Sequence, residues 1–403
     1  MLRHSRYNNI VWKILDAVTC VLLVPFEHVA SLTISAFIFT SFDKPFLIHK
    51  LLRYFVVCPV MVMLSLLLLP VGFLGYVLWM LINALADVQP FIYVCPEEHD
   101  TNHIENDPRY IQNKITVCSA NTCLGTEHIC RFNSQRSSYW RVHEIGRRLL
   151  LQDSSLNKGN LVPPVSRENV ILTKLPDVDV FLLQEIFSRY MGHVLHSYLK
   201  DKYPYCIYDV GYHTLLGNHG GLGSGLFVAS KFPILDAKFL PYSTVNGYGN
   251  FCNLGVLVVK FDLGLVMQNG LEQPGVGYIA NTHTQAYQGP EKIIAKQLQD
   301  AENLLDKFID STKKKEEQIV FTIIGGDFNC DNMSPGDETT QNLSLWDRYL
   351  DPCREGPGED KPWAIGTEHR QRMMHHPKIH NSQSFREILI DDVQRRHFII
   401  DAD

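Results

Sequence analysis

The chain carries no surplus of positive charge: 37 Lys and Arg stand against 43 Asp and Glu, a formal net charge of −6. Binding to nucleic acid rests on neutralising phosphates with cationic side chains, so the overall charge gives no support to a polyanion as main partner. The ten cysteines show no CxxC spacing among Cys118, Cys123 and Cys130, and several, such as Cys206 and Cys252, sit inside apolar runs. This lacks the framework of a disulfide-dense secreted domain and reads as buried free thiols, leaning toward the cytosol. There is no internal repeat, and no small-residue cleavage site follows a short early apolar stretch, so no cleavable signal peptide is expected. With 45% hydrophobic and 11% aromatic residues over 403 positions, the chain is neither disordered nor collagenous. Its length suits two or three average domains and a sizeable core.

The most telling absence is local. Residues 54–86 contain no Asp, Glu, Lys, Arg or His, and about 20 predominantly apolar helical residues cross a bilayer core. Upstream, 29–42 is apolar but short, and the stretch before it is interrupted by Lys13, Asp16, Glu27 and His28. The first segment, about 14–42, therefore reads as embedded rather than spanning. Pro59, Pro70, Gly72 and Gly75 can break or kink the second, which leaves re-entry into one leaflet open beside a crossing. Arg3, Arg6 and Lys13 near the start, with Lys44, His49, Lys50 and Arg53 between the segments, favour the cytosol for both regions. Two insertions then return the rest of the chain to the cytosol, whereas a single crossing sends it outside. Cys20, Cys58 and Cys95 lie where acylation is feasible, but small buried thiols explain them as well. The expected organisation is a membrane-associated region over 1–95, a polar linker over 96–113, and a globular domain over 114–403.

In that domain short β-branched runs alternate with turns. Strands are expected at 114–121, 178–186, 225–231, 254–261, 275–283 and 319–329, and an amphipathic helix over 290–310 with Pro290 near its start. The polar segment 134–166 should hold a short helix and a surface connection. A mixed α/β domain with buried sheets follows. Polar residues gather where the strands end: Asn121 closes ITVCSAN, Glu185 closes VFLLQE, His283 closes YIANTH, and Asp327 and Asn329 close TIIGGDFN. Each alone has a structural explanation as turn former, ion-pair member or satisfied core residue. Together, oxygen donors suited to a hard cation plus a His at the ends of rigid strands point to a phosphoester-cleaving pocket.

These residues also carry a resemblance. The set AN, LQE, SGL followed by SKFPI, NTHTQA and GGDFN resembles the endonuclease/exonuclease/phosphatase superfamily, a two-layered β-sandwich flanked by helices that uses a divalent metal. The segment Tyr349 to Thr367, with its PWAIGT, and the paired N-terminal apolar segments are similar to the membrane-bound neutral sphingomyelinases of animals. The similarity runs from about residue 10 to about residue 400 and fits the shorter type without a long insertion.

The resemblance implies Mg2+-dependent hydrolysis of sphingomyelin to ceramide and phosphocholine, with membrane lipids, acidic phospholipids among them, as further partners and no nucleic acid. It implies Glu185 as direct metal ligand and Asn121 beside it, holding the metal shell or a phosphate oxygen. Asp327 and Asn329 would position the attacking water and a phosphate oxygen, and His283 would donate to the phosphoryl group. The same fold on a phosphoinositide or nucleic-acid substrate, or a catalytically silent membrane-binding protein, are the alternatives.

Two departures qualify the transfer. The family's terminal Asp-His pair has no counterpart, since no His follows His397, and Asp401 and Asp403 alone remain. The sheet is accordingly expected to be truncated, with exposed edges. In 245–255, where relatives carry an Asp and a Lys in a DALASKG-like loop, Gly249 and Leu254 stand instead. Other motifs carry less. GGLGSG (220–225) precedes a strand and reads as a flexible turn, not a dinucleotide loop. HHPKIH (375–380) lacks a fourth ligand for Zn2+. KKKEE (313–317) is a solvated loop. The sequons at Asn332 and Asn342 would report topology if glycosylated.

Overall fold

The computed structural model describes residues 2–43, 46–96, 115–157, 174–212, 222–268, 270–286, 288–289, 292–366 and 371–399. Most of the expected linker 96–113, the Pro163-Pro164 pair, Pro290, Asp401 and Asp403 lie outside them.

The N-terminal region is a helical hairpin. Helix α1, Ile10–Phe37, starts at Asn9, whose side chain accepts the Val11 N–H at 2.8 Å. It absorbs Lys13, Asp16, Glu27 and His28 in one continuous helix and runs through Pro25. Helix α2 spans Leu47–Leu85, with a π-helical turn at Arg53–Val57. Neither Pro59 nor Pro70 breaks it: Pro59 falls in the first turn after the π-helical segment, and Pro70 is carried inside the helix. Gly72 and Gly75 allow the two helices to touch, for a Cβ at Gly72 would stand 2.4 Å from Phe26 Cγ and one at Gly75 2.9 Å from Leu22 Cβ. Both helices are long and apolar enough to cross a membrane, and little of either is buried.

The rest is a sandwich of two sheets. The first comprises β1 (Ile92–Val94), β2 (Val117–Leu124), β3 (Val180–Ile186), β4 (Tyr205–Tyr208) and β5 (Phe227–Ser230), in the order β1-β4-β5-β3-β2. The second comprises β6 (Ile234–Pro241), β7 (Gly255–Gln268), β8 (Leu271–His283) and β9 (Gln318–Asp327), in the order β9-β8-β7-β6. In each main sheet one pair is parallel, β2 with β3 and β8 with β9. Val180, Leu182, Ile207 and Val228 of the first sheet meet Leu257, Val259, Phe261 and Ile279 of the second in the core between them.

The opposite faces are covered by helices, which is why VFLL reads as an unbroken apolar run rather than alternating. Phe181 and Leu183 pack under α4 (Ser138–Leu149) and α5 (Arg189–Leu199), helix α3 (Glu127–Phe132) preceding them. Val256, Val258 and Tyr278 pack under α6 (Ile293–Thr312), through Ala301, Leu305 and Phe308.

Several expected boundaries move. β2 continues to Leu124, so Asn121 lies within the strand, at a register irregularity between Asn121 and Leu124. β7 and β8 extend four to seven residues past their expected turn and form a long ribbon, Gln268 facing Leu271. Strands β1, β4 and β6 were not anticipated. β1 pairs with β4 through Ile92↔Tyr208, so the first sheet takes a strand from inside the expected membrane region 1–95. β9 is an edge of the second sheet and is half-buried despite its apolar sequence, while Tyr278 to Ala280 of β8 beside it are fully buried.

Candidate active site

The two parallel pairs deliver their carboxyl ends to one end of the sandwich. Asn121 stands opposite Gln184 in the β2–β3 ladder, and His283 opposite Asp327 in the β8–β9 ladder. Asn121 Nδ2 donates at 2.8 Å to Glu185 Oε1 and at 2.8 Å to Asp327 Oδ2, linking the sheets. Its Oδ1 accepts the Cys123 N–H at 2.9 Å. His283 Nε2 faces the same two oxygens, 3.9 Å from Glu185 Oε1 and 3.8 Å from Asp327 Oδ2. The other Asp327 oxygen accepts the Asn329 N–H at 3.0 Å, and Asn329 Nδ2 donates to the Thr284 carbonyl at 2.9 Å. All five expected residues therefore share one edge.

The backbone is forced here. Glu185 has φ +62° and Asn329 φ +46°, conformations that cost on the order of 1–3 kcal/mol in a non-glycine residue and persist only where the surroundings impose them. The seat of Glu185 is Gly225, with φ +72°, whose Cβ would lie 3.0 Å from Glu185 Cα and whose carbonyl accepts the Ile186 N–H at 2.9 Å. The described part of GGLGSG is thus a close-approach site under the carboxylate and not a loose turn.

Behind the edge lies a pair that the strand-end pattern missed. Gln184 and Asn281 are fully buried between the sheets, and Gln184 Nε2 donates to Asn281 Oδ1 at 2.8 Å. Asn281 Nδ2 donates to the carbonyls of Leu183 (3.3 Å) and Phe227 (3.1 Å). The available signal was alternation: Gln184 and Glu185 are neighbours in a strand, so one must face inward. Alanine at Asn281 takes the 2.8 Å acceptor from Gln184 Nε2, leaving it the Leu182 carbonyl at 3.1 Å and Ser119 Oγ at 3.3 Å, and removes the donor to the Leu183 and Phe227 carbonyls, where an unmade buried hydrogen bond costs about 1–3 kcal/mol. We expect a loss of about 3 kcal/mol in denaturant unfolding of detergent-solubilised protein.

Two carboxylate oxygens and one imidazole nitrogen thus converge, with a single amide between the carboxylates. Like charges so placed repel, and a cation relieves that repulsion. Among the described residues no group of three or more His, Cys, Asp and Glu side chains is arranged to hold a metal ion. Mg2+ requires less, since it retains several waters and takes one or two carboxylates. The donor set fits such an ion through Glu185. Asn121 turns its nitrogen toward Glu185 and Asp327 and so holds the two carboxylates in place.

The loop over 245–255 contributes no charge. Leu254 is a buried core residue, and Asn246 fixes the loop by donating its N–H to Gln285 Oε1 at 2.8 Å. The 351–366 segment, Arg354 included, instead lines a cavity of about 220 Å³ with Phe328, the residue after Asp327, and with Trp346. Arg354 lies over the Trp346 ring at 5.2 Å and donates to the Gln341 carbonyl at 2.7 Å. The sequon residue Asn332 is committed to Asp360 Oδ1 at 2.7 Å and to the Gly356 carbonyl at 3.0 Å.

The profile of the Endonuclease/Exonuclease/phosphatase family matches residues 154–378, more than half of the chain. The chain belongs to this family. Its relatives include sphingomyelin phosphodiesterase 5 of Danio rerio, 34% identical over 229 residues, covering 56% of this chain and 42% of that protein. Sphingomyelin phosphodiesterase 5 of Mus musculus is 28% identical over 345 residues, covering 82% of this chain and 69% of that protein. These agree with the resemblance to neutral sphingomyelinases, although the matched part spans less than half the length of the first relative. Among solved structures, a beta toxin from Staphylococcus aureus with bound magnesium ions is 22% identical, covers 55% of this chain and 67% of its own, and has a TM-score of 0.36. The family's two-layered sandwich flanked by helices is the architecture described above.

Proposed function

We propose that this chain hydrolyses sphingomyelin to ceramide and phosphocholine at a membrane surface, with Mg2+ as cofactor. The observation that carries this reading is the Asn121 amide joined to both Glu185 and Asp327, with His283 Nε2 facing the same two oxygens. The names of the relatives support the substrate, and the exposed apolar hairpin supports the surface.

Glu185 would hold the ion, with Asn121 fixing its carboxylate. The bound ion would supply positive charge to the phosphodiester and to the developing charge on the ceramide oxygen. Asp327 accepts a hydrogen bond from the attacking water, and Asn329, whose backbone N–H orients Asp327, stands beside a phosphate oxygen. Among the described residues His283 Nδ1 is buried without a hydrogen-bond partner, while Nε2 faces the Glu185 and Asp327 oxygens. The proton therefore belongs on Nε2, from which it is donated to the phosphoryl group.

The test is phosphocholine release from sphingomyelin in mixed micelles, with Mg2+ and with chelator, by the full chain. Release should require the metal, and His283→Gln should lower kcat on the order of 10²–10³-fold, the loss seen when one donor to a developing charge is removed. Release from a phosphoinositide or a nucleic acid, with none from sphingomyelin, would overturn the substrate while leaving the site in place.

A further inference from the structure

Cys130 follows Cys123 by seven positions, a spacing without a motif, yet the turn from β2 into α3 brings the two side chains together. Cys130 Sγ donates to the Cys123 carbonyl at 3.1 Å and lies 3.5 Å from the Gly125 carbonyl oxygen. The Cys123 thiol in turn donates to the Cys130 sulfur. Both thiols are free; Cys130 is fully buried, whereas Cys123 is half-buried and reachable from solvent.

The pair sits where the backbone is held by side chains. Cys123 has φ +47°, a left-handed conformation that costs about 1–3 kcal/mol outside glycine. It falls within the register irregularity of β2, between the paired positions Asn121 and Leu124. Its carbonyl accepts from Cys130 and from Arg141, whose Nη2 also lies 3.9 Å from the Cys130 sulfur. Its own sulfur accepts from Asn133 Nδ2 at 3.8 Å. The Cys123 N–H makes the connection to the active site: it donates to Asn121 Oδ1 at 2.9 Å, and Asn121 Nδ2 bridges Glu185 and Asp327. The backbone at Cys123 therefore helps to set the angle of the Asn121 amide.

We propose that Cys123 and Cys130 form an oxidation site, and that a disulfide between them turns hydrolysis down by displacing Asn121. The second part rests on the catalytic reading above. Hydrogen peroxide is the fitting oxidant, being small enough to reach a half-buried sulfur. The Cys123 sulfur takes one oxygen from the peroxide and becomes a sulfenic acid as water leaves. The Cys130 sulfur then attacks it: the S–S bond forms, the S–O bond breaks, and the hydroxyl leaves with the Cys130 proton as a second water. Two thiols thus lose two electrons and two protons to one peroxide, and a dithiol reductant returns both. Bonded sulfurs stand about 2.05 Å apart, so Cys130 must release the Cys123 carbonyl, and the backbone that it steadies must shift. One hydrogen bond passes that shift to Asn121, and a misplacement on the order of 1 Å costs a reaction up to about 100-fold.

The experiment exposes the full chain in detergent–lipid micelles, reduced and then freed of reductant, to hydrogen peroxide. Phosphocholine release from sphingomyelin with Mg2+ should fall on the order of 10-fold or more and recover with dithiothreitol. Cleavage after Glu127 and Arg131 puts the two cysteines on separate peptides, which mass spectrometry should find joined after peroxide and parted after reductant. Cys130→Ser keeps a hydroxyl on the Cys123 carbonyl and should hold its release under peroxide; Cys123→Ser, which leaves the buried thiol in place, should resist in the same way. Peptides that stay separate in wild type, or that are still joined in Cys123→Ser through Cys118, would overturn the oxidation site whatever the activity. Joined peptides with unchanged release, or an equal loss in Cys130→Ser, would overturn the link to Asn121. A reduced chain that releases no phosphocholine with Mg2+ would overturn the catalytic reading, and with it the effect on hydrolysis, while the mass of the peptides still decides the bond.

Discussion

Glutamine in place of Glu185 is expected to remove metal-dependent hydrolysis, a fall on the order of 10³-fold in kcat/KM, while leaving the fold intact. The substitution keeps the shape and one oxygen that can still accept from Asn121, but it takes away the charge that a hard cation requires. Stability tells this apart from simple damage. In chelator, wild type holds two carboxylates against one amide nitrogen, so neutralising one relieves repulsion. The variant should then melt at the same temperature as wild type or higher. With Mg2+ present the order should reverse, because a ligand that binds only the folded state stabilises it, by about 2.7 kcal/mol at a hundred times its Kd. Thermal unfolding with and without the ion, beside calorimetric titration of Mg2+, reads both effects. A variant that melts lower in chelator, or that still gains stability from Mg2+ as wild type does, would remove Glu185 from the metal site.

The strand-end residues were legible because their signal is local: an apolar β-branched run stops and a polar residue follows, as in YIANTH and TIIGGDFN, and parallel neighbours then bring such ends together. What escaped depends on partners far along the chain. YCIY, four buried residues at Tyr205–Tyr208, shows no alternation, and only its pairing with Ile92–Val94 and with β5 makes it a strand. The position of Asn121 inside β2 escaped for a related reason, since a register irregularity is a property of two strands and not of one sequence.

The helix α1 shows the same limit from the other side. Asp16, Glu27 and His28 read as flaws in a membrane segment, yet Asp16 and His28 are contacts to Arg189 and Tyr139. Periodicity alone cannot separate a face that binds protein from one that meets water. By contrast, the doubt over the 245–255 loop followed directly from residue type. Leucine at 254 could supply no charge, and it is buried against Val256, Tyr278 and their neighbours.

Alanine at Gly326 should be among the most destabilising substitutions in the sandwich, costing about 4 kcal/mol or more. Gly326 has φ +150°, which side-chain-bearing residues rarely adopt, and a Cβ there would lie 1.9 Å from the Thr282 carbonyl oxygen and 3.0 Å from Thr282 N. Both are backbone atoms of the neighbouring strand β8, and Thr282 cannot easily give way. It is fully buried, its hydroxyl donates to the Gly255 carbonyl at 2.9 Å, and it pairs with Tyr242 Oη at 2.5 Å. Relief would have to come from β9, whose next residue is Asp327, so the carboxylate would shift with it. Gly325 supplies the control. A Cβ there meets Leu182 Cδ1 at 2.9 Å, the tip of a side chain that can rotate, and Gly325→Ala should cost about 1 kcal/mol, the low end of overpacking. Thermal unfolding of both variants in detergent separates the two cases: equal losses would mean that β9 yields at this point, and that the glycine is not what fixes Asp327 at the edge of the sheet.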